Sequence, residues 1–106
     1  MLQTLGKVTV PSAGTPVQLS TKTLNANSAY FQALSGNTGK MYVGLAGMIK
    51  TTLVNVLHVI VPPPASPLTL DSWDVVGITI GPIDFSQLWI DADTSTQGLL
   101  ISYLVT

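Results

Sequence analysis

Few side chains in this sequence can do chemistry. The only group that titrates near neutral pH is His58, and it stands in the series Val54, Val56, His58, Ile60. That company marks a structural histidine packed among apolar side chains. A Ser-His-Asp triad is assembled by the fold and not by the sequence, but no Gly-x-Ser-x-Gly nucleophile elbow is present, so the sequence assigns no enzymatic role and no catalytic residue. Asp91 and Asp93 are two apart and so share one face of a strand, where their oxygens could converge on a hard cation such as calcium. Calcium takes about six to eight oxygens, so Asp71, Asp74, Asp84 or carbonyls near Thr94 would have to complete the shell. The plainer expectation is a solvated strand end whose charges discourage wrong edge pairing. Gly36-Asn37-Thr38-Gly39-Lys40 lacks the glycine that opens a phosphate loop and joins two strand-like runs, so it reads as a turn. No metal, cofactor or small-molecule site is assigned.

Aromatic rings are the other candidates. Trp73, Trp89 and Tyr42 could stack on the CH faces of sugars, although core or subunit packing is the plainer role. Trp89 lies on the face opposite Leu88 and Ile90, so it is the ring expected to be exposed in a monomer and buried in an oligomer.

The elements that would position these groups are strands. Period-two alternation and β-branched residues dominate, and helical spacing is hard to find. Val8 and Val10 alternate with Lys7 and Thr9, a turn follows over residues 11–14, and Val17 and Leu19 alternate with Gln18 and Ser20 in what reads as an adjacent strand. Residues 29–34 and 40–44 flank the 35–39 turn and predict a hairpin. Residues 44–50, with two glycines, read as a loop. The run 53–61 is apolar on both faces, so it should be covered on both sides or lie against a neighbouring subunit. Pro62-Pro63-Pro64 ends it in a stiff extended loop, a short strand is expected at 68–70, and alternation returns over 73–80. Residues 83–86 read as a turn, 87–92 as a strand with Leu88, Ile90 and Ala92 facing the core, and 99–105 as a terminal strand. The expectation is one all-β domain over residues 1–106, a β-sandwich of about eight strands with jelly-roll topology.

Composition narrows the setting. The 106 residues include four Lys, five Asp and one His, with no Arg, Glu or Cys. Charged residues make up 8%, against roughly a quarter in an ordinary soluble domain, so the chain must stay soluble by other means or hide its surface against neighbours, which points toward an assembly part. With 46% apolar residues the chain is committed to folding. A net charge of −1 gives nucleic acid nothing to hold, no apolar run reaches the ~18 residues of a bilayer span, and no secretory signal is recognisable. The absence of cysteine fits synthesis in a reducing cytoplasm. Lys7, Lys22, Lys40 and Lys50 all precede residue 51, and all five Asp follow residue 70. Kept apart in space, these charges would orient one subunit against the next.

Three segments together resemble small virion proteins of tailed bacteriophages. They are Gly14-Thr15-Pro16-Val17-Gln18-Leu19, then Gln32-Ala33-Leu34 through Gly36-Asn37-Thr38-Gly39-Lys40-Met41-Tyr42-Val43-Gly44, and Leu88-Trp89-Ile90-Asp91-Ala92-Asp93. The glycine-containing loop Thr94-Ser95-Thr96-Gln97-Gly98 and a final strand follow, as in that group. The resemblance implies a capsid decoration (cement) protein. Such a protein is a jelly-roll homotrimer that binds the major capsid protein on the outside of the head, is made in the host cytoplasm, and has no catalytic residues. The middle of the chain departs from the group, which is more glycine-rich and polar where this sequence has the 53–61 run and the triproline. A phage tail, baseplate or fibre component and a carbohydrate-binding receptor module are the alternatives.

Overall fold

The computed structural model describes residues 2–61 and 77–105. Among them the chain forms β1 (Leu2–Thr9), β2 (Val17–Gln18), β3 (Asn25–Ala26), β4 (Ser28–Ala33), β5 (Met41–Ile49), β6 (Val54–Ile60), β7 (Gly77–Ile80), β8 (Ile83–Asp84), a one-turn 3-10 helix (Phe85–Gln87), β9 (Trp89–Ala92) and β10 (Gly98–Leu104). The fold is all-β. One four-stranded antiparallel sheet has the order β1-β10-β4-β7 and a second has the order β2-β9-β5-β6, while β3 and β8 form a small separate ribbon. The expected strand at 68–70, the triproline loop and Trp73 with its flanking Asp71 and Asp74 lie outside the described residues.

Alternation decides which side chains meet between the sheets. Along β4, Ala29, Phe31 and Ala33 are buried while Tyr30 and Gln32 are exposed. In β10, Leu99 and Ile101 point inward and Leu100 and Leu104 outward. The second sheet answers with Met41 and Val43 from β5, Ile60 from β6 and Ile90 from β9, all fully buried in the same cluster as Phe31 and Ile101. Phe85 enters this core from the 3-10 turn, with Tyr103 packed edge-on at a centroid distance of 5.2 Å. Each such side chain contributes about 1.5–3 kcal/mol when fully buried, so a sandwich with a shared interior is the natural way to bury both inner faces.

Strand pairing differs from the sequence expectation in three places. Residues 7–10 and 17–20 are not adjacent strands, because β1 pairs with β10 in one sheet and β2 with β9 in the other. Residues 29–34 and 40–44 do not form a hairpin: β4 and β5 belong to different sheets, and the segment between them arches across the sandwich. The turn itself exists, with Asn37 N donating to Leu34 O at 3.0 Å. Its remaining polar groups, however, face the loop before β10. Asn37 Nδ2 donates to Gly98 O at 2.8 Å, Asn37 Oδ1 accepts from Gly98 N at 3.3 Å, and Gln97 Oε1 accepts from both Thr38 N and Gly39 N at 2.9 Å. The buried carboxamide of Asn37 thus imitates a strand backbone and fastens the arch.

The third difference concerns residues 44–50, which continue β5 instead of forming a loop. Ile49 is paired with Val54, and the ladder with β6 is interrupted on both sides of Gly44. The two glycines do oppose a helix, but a strand accommodates them, Gly47 with a positive φ of 77° that glycine adopts readily. Residues 83–86, expected as a turn, supply β8 and the start of the 3-10 helix.

Gly98 shows why glycine is needed at one crossing. A Cβ there would collide with Val8 O and the Thr9 backbone of the neighbouring strand. Gly98→Ala is therefore expected to force β1 and β10 apart and to lower unfolding free energy by about 1–3 kcal/mol, read from urea denaturation followed by far-UV circular dichroism.

Candidate functional site

The outer face of the second sheet gathers most of the polar side chains singled out in the sequence. β9 presents Trp89 and Asp91 outward while Ile90 and Ala92 enter the core, as period two requires. Cross-strand pairing then sets Tyr42 opposite Asp91, and Gly44 opposite Trp89.

Asp91 is not the solvated strand end expected of it, for it is 1% exposed. Its Oδ1 accepts from Gly14 N at 2.9 Å and from Ala92 N at 2.7 Å. The 11–16 segment brings Gly14 over the sheet, and Gly14, Met48, Lys50 and Asp91 surround one small hollow. A carboxylate can stay buried when backbone donors replace its water. Asp91 therefore acts as an anchor for the β1–β2 connection.

Asp93 faces a different set of partners. Tyr42 donates its hydroxyl hydrogen to Asp93 Oδ1 at 3.0 Å, and Lys50 Nζ lies 3.5 Å from the same oxygen. Lys50 also donates to Ala92 O at 2.6 Å. The ion pair is partly exposed and is worth about 0–1 kcal/mol by itself, but with the bond to Ala92 O it ties the far part of β5 to β9. Burial of the Tyr42 phenol, reinforced by its hydrogen bond to Asp93 and the nearby carboxylates, pushes its pKa up to about 12.

Asp84 is spent elsewhere. Its Oδ1 accepts from Leu24 N and from Ser86 N, both at 3.0 Å, capping the 3-10 turn. Those backbone hydrogen bonds, Leu24 first, hold its carboxyl below the usual carboxylate range. Among the described residues no three His or Asp side chains gather as a metal-ligand set. The segregation of Lys and Asp along the chain is also undone at one point, since the Lys50–Asp93 pair joins the two halves.

His58 departs from expectation too. It is exposed on β6, although it pairs with buried Val43 and lies two residues from buried Ile60. Tyr42 is buried, so its ring offers no face to a sugar. Trp89 is half-buried within its own chain and forms one wall of a groove.

Apolar surface forms the rest of the candidate site. Among the described residues β6 ends the second sheet, and with the outer part of β5 it makes an arm on which Ile49, Leu53, Val54 and Leu57 are each about half exposed. The run 53–61 is therefore not covered on both sides among the described residues. A second apolar set, Leu2, Tyr30, Leu100 and Leu104, shares the outer face of the first sheet with Thr4, Ser102 and Thr79. The two glycines of 44–50 conceal the arm in the sequence by suggesting a loop; the signal that points to it is the apolar character of Leu45, Met48 and Ile49 just before the 53–61 run. Compared with family models, with curated proteins and with solved structures, the chain matches none.

Two outcomes follow from the polar groups. Asp91→Ala strips Gly14 N and Ala92 N of their acceptor and should cost about 1–3 kcal/mol in urea denaturation, whereas Asp91→Asn, which keeps a carbonyl oxygen there, should cost less. The raised pKa of Tyr42 favours the fold fully below pH 10, the ordinary value, and that contribution is lost as pH rises through about 12. Tyr42→Phe should accordingly flatten the loss of stability between pH 10 and 12, measured by denaturation at a series of alkaline pH values.

Proposed function

We propose that this chain is a structural protein of a phage virion, a decoration protein that forms a homotrimer and binds the major capsid protein on the outside of the head. The observation that carries the reading is the β5–β6 arm. Its half-exposed Ile49, Leu53, Val54 and Leu57 make an uncharged apolar surface at a sheet edge, a feature that isolated soluble domains suppress and assembling ones use. Its lysine is already engaged with Asp93 and Ala92 O, so covering the arm strands no free charge there. The strand order adds support. Taking the eight strands of the larger sheets in chain order, the sheets read 1-8-3-6 and 2-7-4-5, an interleaving that agrees with a jelly roll.

A cement protein needs no reaction. It stabilises the shell because it binds the assembled state and not the separated one, so mass action favours the closed capsid. A closed ring of identical subunits would use the same arm three times against a complementary surface of the next copy.

Light scattering of the purified protein should give the mass of a trimer, and sedimentation with expanded capsids should carry it into the pellet at many copies per head. Leu57→Asp should weaken both. A monomeric mass at high concentration together with no capsid binding overturns the proposal, and a few copies per virion, counted by gel densitometry, would assign the chain to the tail.

A further inference from the structure

We propose that the groove beside Trp89 is a binding site for a neutral hexopyranose. The groove is open to solvent and has a volume of about 480 Å³, within the ~300–1,000 Å³ of small-molecule sites. Trp89, Gln18, Asn55, Gln87, Ser86 and Leu45 line it, and no charged side chain does. An anionic ligand would find no cation there, and a cationic one no carboxylate.

What the walls offer matches a sugar. Gln18 Nε2 donates to Ser86 O at 2.8 Å, and Asn55 Nδ2 donates to Ala46 O at 3.1 Å. Because a carbonyl can only accept, these contacts fix which end of each carboxamide is nitrogen. Both carboxamides are thereby held with an oxygen in reserve to accept from hydroxyl groups. The Trp89 indole N–H and the Gln87 carboxamide make no protein hydrogen bond among the described residues, so they remain as donors. An indole beside oriented polar groups suits a pyranose ring, which has an apolar CH face and a rim of hydroxyls.

The local backbone explains how the walls converge. Gln18 and Gly44 flank Trp89 on the neighbouring strands. Gly44 has no side chain, and a Cβ there would collide with Asn55 O. The bare Cα lets the Asn55 backbone lie across β5, and the left-handed conformation of Asn55, with φ of 58°, suits its type. Asn55 thus reaches the groove from β6. By contrast, the groove of about 450 Å³ bordered by Asn25, Pro82 and Asp84 has no aromatic wall.

The test uses the whole chain labelled with ¹⁵N and three probes, methyl α-D-glucopyranoside, methyl β-D-galactopyranoside and N-acetyl-D-glucosamine. At least one should shift the Trp89 indole and Gln87 carboxamide signals saturably, with the Gln18 and Asn55 carboxamides following. Trp89→Ala should weaken that binding about tenfold or more. Gln87→Ala, which removes no protein hydrogen bond, should weaken it while leaving the remaining spectrum in place, so the result does not depend on Trp89→Ala folding. Absence of saturable shifts from all three probes up to about 0.1 M, well above a millimolar single-sugar affinity, overturns the proposal. So do groove signals that move on diluting the protein alone, which would mean that a second copy covers the groove.

Discussion

Neither of the large sheets can be built without the other. Among the described strands only β5 and β6 are both consecutive and paired; every other ladder joins segments separated by a strand of the opposite sheet or of the ribbon. The common constraint is burial of Phe31, Leu99 and Ile101 against Met41, Val43, Ile60 and Ile90. Because these side chains come from both sheets, the inner face of each supplies much of the apolar cover of the other, with Phe85 between them. Loop-closure entropy must be met before such distant pairings contribute. The side-chain clamps of Asn37 and Gln97 and the anchor at Asp91 therefore matter out of proportion to their number, since each fixes a connection that passes between layers.

Much of the local structure was legible in the residues, and most of the pairing was not. Alternation placed Leu88, Ile90 and Ala92 inward and set Asp91 on the opposite face because period two is a property of the strand alone. It could not say which strands are neighbours. The 35–39 turn has hairpin chemistry, yet Gln97 and Gly98 outcompete the hairpin for its polar groups, and they lie far along the chain. Asp91 misled for the same reason: a carboxylate at a strand end looks solvated until Gly14 and Met48 are brought over it by segments whose positions only the fold decides. His58 sits in a run of apolar residue types, and that run does not reveal that β6 leaves much of its length exposed. Of the candidate site, Trp89 was visible as an outward-facing ring, but its partners Gln18, Asn55 and Gln87 came from three separate segments.

The scarcity of charge also takes a more definite meaning. Asp84, Asp91 and Asp93 each have oxygen atoms committed to backbone or side-chain donors, and Lys50 is held between a carboxylate and a carbonyl. These charges stabilise connections. Apart from Lys7 on the first sheet and His58 on the arm, what faces outward on these two surfaces is a mixture of aliphatic groups, hydroxyls and carboxamides, which can be desolvated at far lower cost than ions.

β10 occupies an inner position in its sheet, between β1 and β4, and this has a consequence in time. β1 is the earliest of the described strands to leave the ribosome, and its partner is the latest. Until residues 98–104 emerge, β1 and β4 have a gap between them where hydrogen bonds must later form, and an apolar chain with few ions to keep molecules apart waits with those edges open. The nascent protein is therefore most vulnerable to mispairing during synthesis, and the same strand that completes the sheet brings that vulnerable interval to an end.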